Sequence, residues 1–202
     1  MRIAIATALL LASVGIAQAQ APQTVRVRGQ IEQNAERVLT VKSREGETLK
    51  IRLNEPLTVM AVSRLDMAAI KPDSFVGVAS VKGQDGQHYA LEVLVFPESA
   101  RGSNEGHYPW DLKPESMMTN ATVAAVAAAP KGQELKLKYK QSDQPVEVVV
   151  PPDTPVVTFA PGSPDLLKPG AYVFIGAAAR GADGGLSTGR VLAGVDGVVP
   201  PM

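Results

Sequence analysis

The chain has 202 residues, of which 45% are hydrophobic, and carries 20 basic against 20 acidic side chains with no cysteine. Balanced charge supplies no field to gather a polyanion, so nucleic acid is not an expected partner. Lacking cysteine, the chain has neither disulfides nor thiolate metal sites, and apolar packing must hold the fold.

Residues 1–19 read as a secretory signal, with Arg2 as a short basic start, an apolar run from Ile3 to Ile16, and Ala17-Gln18-Ala19 as a small-x-small cleavage site. The run is about 14 residues, short of the roughly 20 that span a bilayer. Cleavage after Ala19 would release a periplasmic or secreted protein with no integral membrane segment.

Val25–Gln33 alternates apolar and polar residues with period two and predicts a strand, followed by a turn at Asn34–Glu36 and a partner strand at Val38–Lys42. Thr48–Leu53 alternates again. Pro56 is expected to interrupt it before a short apolar strand at Leu57–Val62. Ser63–Ile70 is the one plausible helical turn of this half, stopped by Lys71-Pro72. Phe75–Val81 and His88–Phe96 then form a hairpin around Gln84-Asp85-Gly86.

The same order recurs downstream. Ile70-Lys71-Pro72-Asp73-Ser74-Phe75-Val76 aligns with Leu167-Lys168-Pro169-Gly170-Ala171-Tyr172-Val173, Asp85-Gly86 with Asp183-Gly184, and Leu39–Lys42 with Leu135–Lys138, always about 97 residues apart. A constant offset over separate elements predicts an internal duplication. Three strands, a short irregular connector and a closing hairpin give the element order of a small OB-like barrel. The expected fold class is therefore all-β: two tandem OB-like small β-barrels, one over residues 20–98 and one over 119–202, joined by a linker at 99–118. Ile31, Leu39, Val41, Ile51, Val76 and Val93 are expected to face inward in the first barrel. Val123, Leu135, Leu137, Val148, Val173 and Val191 should do so in the second.

Gly29-Gln30-Ile31, Leu39-Thr40-Val41, Ile70–Asp73, Asp85-Gly86 and Ala90–Val93, with the second copy's Leu167–Gly170 and Asp183-Gly184, resemble the pattern of a family of exported bacterial proteins built from a small β-barrel domain of unknown function. Close relatives are similar through the linker as well. The resemblance covers nearly all of the chain after residue 19 and implies this fold and export. Some relatives carry the name metal-transporter permease, which this sequence does not support, because a permease needs several apolar helices.

Unusual side chains concentrate in the linker, where Glu105, His107, Trp110 and Asp111 are the candidate ligand or interface residues. Glu105, His107 and Asp111 offer an oxygen and nitrogen set for a harder ion such as zinc, whereas His107 with Met117, Met118 or Met60 offers a soft set for copper(I). One histidine alone rarely holds a metal, so His88 would have to approach His107 from nineteen residues upstream. The alternative is structural: His107 and Trp110 clasp the linker to the barrels while Met117 and Met118 fill the gap.

Leu135–Lys140 places three lysines on one strand face and Leu135, Leu137 and Tyr139 on the other, an arrangement of a solvated face rather than a stacking platform. Ser103, His107 and Asp111 lack a nucleophile-elbow context. The function expected from the sequence is a non-catalytic binding or structural module with an envelope protein or glycan as partner. The alternative is a metal-binding accessory protein that uses residues 105–118.

Overall fold

The computed structural model describes residues 23–200, so the signal reading at 1–19 and its cleavage site lie outside the described residues. Twelve strands and three single 3-10 turns make up the described chain. β1 (Thr24–Ala35), β2 (Val38–Ser43) and β3 (Thr48–Arg64) form a meander. The β1–β2 turn is set at Glu36 and Arg37, both with positive φ, which is the turn geometry that matches strand twist in tight hairpins. Pro56 does not end β3: the strand bulges around it, Leu53 to Thr58 passing opposite only Thr188 to Arg190 of the partner strand. The expected helical turn shrinks to a 3-10 turn at Met67–Ala69, whose first free N–H groups are met by the Asp66 carboxylate accepting from Ala68 N at 2.7 Å.

β4 (Phe75–Lys82) and β5 (His88–Val95) are an antiparallel pair. Next come β6 (Gly106–Pro109), β7 (Met117–Ala129), β8 (Gly132–Lys138) and β9 (Val146–Val150). The chain ends with β10 (Val156–Pro161), β11 (Tyr172–Arg180) and β12 (Leu186–Gly194).

Two closed five-stranded barrels result. One runs β1-β2-β3-β12-β11 and returns to β1, with β12 parallel to β3. The other runs β7-β8-β9-β5-β4 and returns to β7, with β5 parallel to β9. Both circuits have the strand order of an OB-like barrel, and closure leaves no free edge within either.

Each barrel takes its closing hairpin from the opposite half of the chain. The expected domain boundaries, 20–98 and 119–202, therefore need correction: every barrel contains strands from both sides of residue 100. All twelve residues expected inside are buried, but their company differs. Val173 and Val191 pack with Ile31, Leu39, Val41 and Ile51. Val76 and Val93 pack with Val123, Leu135, Leu137 and Val148. The physical reason is that the two hairpins carry equivalent apolar patterns, so periodicity satisfies either barrel. β3, 17 residues long, carries the chain past β2 to pair with β10 at its far end, and the next hairpin, β4–β5, enters the other barrel.

β10 joins the two barrels, antiparallel to β3 and parallel to β5. Its register with β3 centres on Val62 opposite Phe159, flanked by Met60 opposite Pro161 and Arg64 opposite Val157. Adding 97 to Met60, Val62 and Arg64 gives Val157, Phe159 and Pro161, so the spacing of the aligned sequence segments also exchanges the two strands of this pair. A third apolar cluster sits here, built on Val62, Leu94, Val157, Phe159, Phe174 and Leu192.

Gly29, from the glycine-x-isoleucine motif, sits where β1 crosses β2: a Cβ there would lie 2.1 Å from the Lys42 carbonyl oxygen. Only glycine permits that approach. Leu135 and Leu137 are buried, and Lys136 on the opposite face reaches Glu147 at 2.8 Å, as expected of a solvated strand face.

Candidate functional site

The segment expected as a linker is part of the second barrel. β6 pairs with β7, placing His107 opposite Thr119 and Tyr108 opposite Met118, and the turn between them carries Trp110 and Asp111. That turn is held by its own backbone: Trp110 N donates to Ser116 O at 2.7 Å, and Lys113 N to Ser116 Oγ at 3.2 Å. Strand alternation then sends Tyr108 and Met118 to one face and His107 and Thr119 to the other. Two cavities lie on these two faces.

The first, of about 650 Å³, lies between the barrels. Its apolar wall comes from Tyr108, Trp110, Phe96, Phe159, Phe174 and Met118, and Arg26, Asn120, Thr188 and Arg190 add polar groups. Arg26 and Arg28 project from β1 on either side of the buried Val27. The Arg26 guanidinium lies 3.9 Å from the centre of the Trp110 ring, a cation–π contact, and the Arg28 guanidinium lies 5.0 Å from that of Phe174. Asp111 accepts from Arg28 Nη2 at 2.7 Å and meets Arg26 at 3.4 Å. Burial alone would raise the Asp111 pKa. The hydrogen bond from Arg28 and the charges of Arg28 and Arg26 outweigh it and hold the carboxyl below its usual value.

Asn120 is buried and donates to Ser103 O and to the Tyr108 hydroxyl, whose pKa burial raises. Its Oδ1 and the Trp110 Nε1–H are buried with no hydrogen-bond partner. Arg190 is exposed at this cavity and makes no ion pair among the described residues.

The second cavity, of about 530 Å³, holds both histidines. His88 starts β5 beside β9, and its ring centroid lies 5.9 Å from that of His107, edge to face. Tyr139 stacks on His107, with ring centroids 6.5 Å apart. His107 Nδ1 is 2.8 Å from Thr119 Oγ1, whereas His88 Nδ1 is buried and has no hydrogen-bond partner. Burial depresses both pKa values, helped by Lys82 at His88 and by His88 at His107.

The candidate residues are thus divided rather than gathered. Glu105 accepts from Lys140 N and pairs with Lys140 Nζ at 3.2 Å, and Asp111 is committed to the two arginines, so the hard-ion set around His107 does not form. Met118 points away from His107 into the inter-barrel cavity, and Met60 packs against the cluster between the barrels, which dismantles most of the soft set. Met117 stays partly buried at the β6–β7 edge, opposite Pro109. Among the described residues no group of three or more histidines or carboxylates is placed to hold a metal. Ser103, His107 and Asp111 likewise face separate partners.

Arg26, Arg28, Tyr108, Asn120, Phe174 and Arg190 were not legible as site residues. Val25-Arg26-Val27-Arg28 alternates like any half-solvated strand, and nothing local distinguishes an arginine on water from one on a tryptophan. Fold and cleft together define an all-β protein of two interlocked five-stranded barrels with an aromatic and arginine-lined cavity at their junction. Compared with known proteins, the chain matches no family model, no curated protein and no solved structure. No helix among the described residues is long and apolar enough to cross a membrane.

Proposed function

We propose that the protein is an exported, non-catalytic binding module whose ligand seats in the cavity between the barrels. The observation that supports this reading is the cavity lining itself: an aromatic wall, an exposed Arg190, and the Trp110 Nε1–H, which is buried with no hydrogen-bond partner among the described residues. An unmet buried polar group costs about 1–3 kcal/mol, a cost that a ligand group hydrogen-bonded to it would offset. A volume of about 650 Å³ falls in the range of small-molecule sites. The lining favours a small anion with a flat or apolar body, free or displayed on an envelope protein or glycan.

Export rests on the signal-like residues 1–19, and the reading of the halves as an internal duplication is supported by the spacing of 97 that recurs in the β3–β10 register.

Trp110 is the only tryptophan and stands in the cavity wall, so its fluorescence reports occupancy directly. The sulfonated aromatic dye 1-anilinonaphthalene-8-sulfonate should quench Trp110 saturably. Arg190→Ala should weaken the dye about tenfold or more, the scale of one charge-assisted hydrogen bond. No change in Trp110 emission, or equal affinity in Arg190→Ala, would remove the cavity as a binding site.

A further inference from the structure

We propose that the ligand of the inter-barrel cavity is a phosphate monoester on a flat aromatic body, its phosphate seated between Arg26 and Arg190 over Gly176 of β11. This rests on the reading of that cavity as a binding site and names the chemistry the cavity selects.

Strand register makes the seat. β11 lies between β1 and β12 in the wall of the first barrel. β1 shifts register between Val25, opposite Ala178, and Val27, opposite Ile175, which sets Arg26 against Gly176 and Ala177. On the other side Phe174 lies opposite Leu192 and Ala179 opposite Ser187, and the same count sets Gly176 opposite Arg190. The two arginines therefore flank β11 from its neighbouring strands, roughly 10 Å apart at the backbone. Between them Gly176 and Ala177 are exposed and carry no more than a methyl group, so the floor is open. All four residues line the cavity.

Donor geometry selects the anion. A guanidinium stacked on a ring uses its face and keeps its N–H edge for hydrogen bonds. Arg26 is held in that way, 3.9 Å from the centre of the Trp110 ring. Its carboxylate neighbour, Asp111, is 3.4 Å away and already accepts from Arg28 at 2.7 Å. A carboxylate is satisfied by one guanidinium, which takes its two oxygens side by side. Two guanidiniums on opposite sides of an open floor suit an anion with three oxygens set tetrahedrally, and a phosphate monoester brings about −1.5 to −2 charge at pH 7 to match the second cation. The Trp110 Nε1–H, buried without a partner, is a further donor in the same cavity wall. Tyr108, Phe96 and Phe159 make the rest of the wall aromatic, which suits a planar body, and about 650 Å³ leaves room for both parts.

The test is competition against bound 1-anilinonaphthalene-8-sulfonate, read from the emission of the dye. 1-Naphthyl phosphate should displace the dye at a concentration about tenfold or more below that of 1-naphthoate, the scale of one added charge-assisted hydrogen bond, and inorganic phosphate only at far higher concentration. Arg26→Gln should remove the preference for the phosphate. Should that variant unfold, Gly176→Leu takes its place: a Cβ at residue 176 meets only the Phe174 ring, at 3.4 Å, so the chain accommodates it, while the added branches fill the floor. It should remove the preference as well. Equal competition by naphthyl phosphate and naphthoate, a preference that survives in a folded variant, or inorganic phosphate competing as well as the ester would overturn this ligand with the cavity still a binding site. A dye that fails to bind at all would remove the site, and this ligand with it.

Discussion

Asp111 Oδ1, on the β6–β7 turn of one barrel, accepts a hydrogen bond from Arg28 Nη2, on β1 of the other, at 2.7 Å. With Arg26 stacked on the neighbouring Trp110, this contact pins the second barrel's added hairpin to the first barrel's wall. Its strength should depend on pH. The Asp111 pKa is depressed in the folded protein, so the carboxylate contributes stability that is fully present above the ordinary carboxylate value of about 3.9 and is lost as pH falls through the folded value. The urea midpoint of the protein should exceed that of Asp111→Asn by a constant margin above about pH 5, and the margin should shrink below about pH 4. A margin that grows on acidification would contradict the clamp.

Trp110→Ala should destabilise the protein by about 2 kcal/mol, below the roughly 3–5 of a fully buried large aromatic. The indole is only partly buried, and its removal also removes an unpartnered N–H while freeing Arg26 from its ring. Thermal unfolding should fall by about 4–8 °C for a chain of this size. A melting temperature unchanged within a degree would show that the ring only rests on the surface.

Barrel exchange can be tested covalently, because the chain has no cysteine to interfere. Thr24 on β1 lies opposite Ala179 on β11, at a separation typical of antiparallel partners and suited to a disulfide. Thr24→Cys with Ala179→Cys should oxidise readily to an intramolecular bond, seen as a mobility shift on a non-reducing gel. Thr24→Cys with Lys82→Cys, the pair that would meet if each half closed its own barrel, should not. The reverse outcome would restore the boundaries read from the sequence.

Gly29→Ala should cost about 1–3 kcal/mol, since its Cβ would press on the Lys42 carbonyl and force two backbones apart. Gly170→Ala makes an informative comparison: nothing lies within 4 Å of its added Cβ, so only its φ of +87° is penalised. If the two variants unfolded at the same urea concentration, close approach would not be the reason for glycine at residue 29.

The amino-acid sequence determined the strands and their inward faces, because these follow from local alternation and turn chemistry. Leu39 and Val41 must face one side whatever else happens, and Val62 aligns with Phe159 by number alone. It also marked 105–111 as unusual, whereas the meeting of His88 with His107, edge to face, follows from the packing of β5 beside β9. Tertiary structure decided which hairpin closes which barrel, since two equivalent apolar patterns satisfy both cores equally and local periodicity does not choose between them. It likewise decided the site. Arg26, Arg28 and Arg190 look like ordinary solvated strand residues until the two barrels interlock, and only then does the junction set cations beside Trp110, Phe174 and an unmet buried N–H.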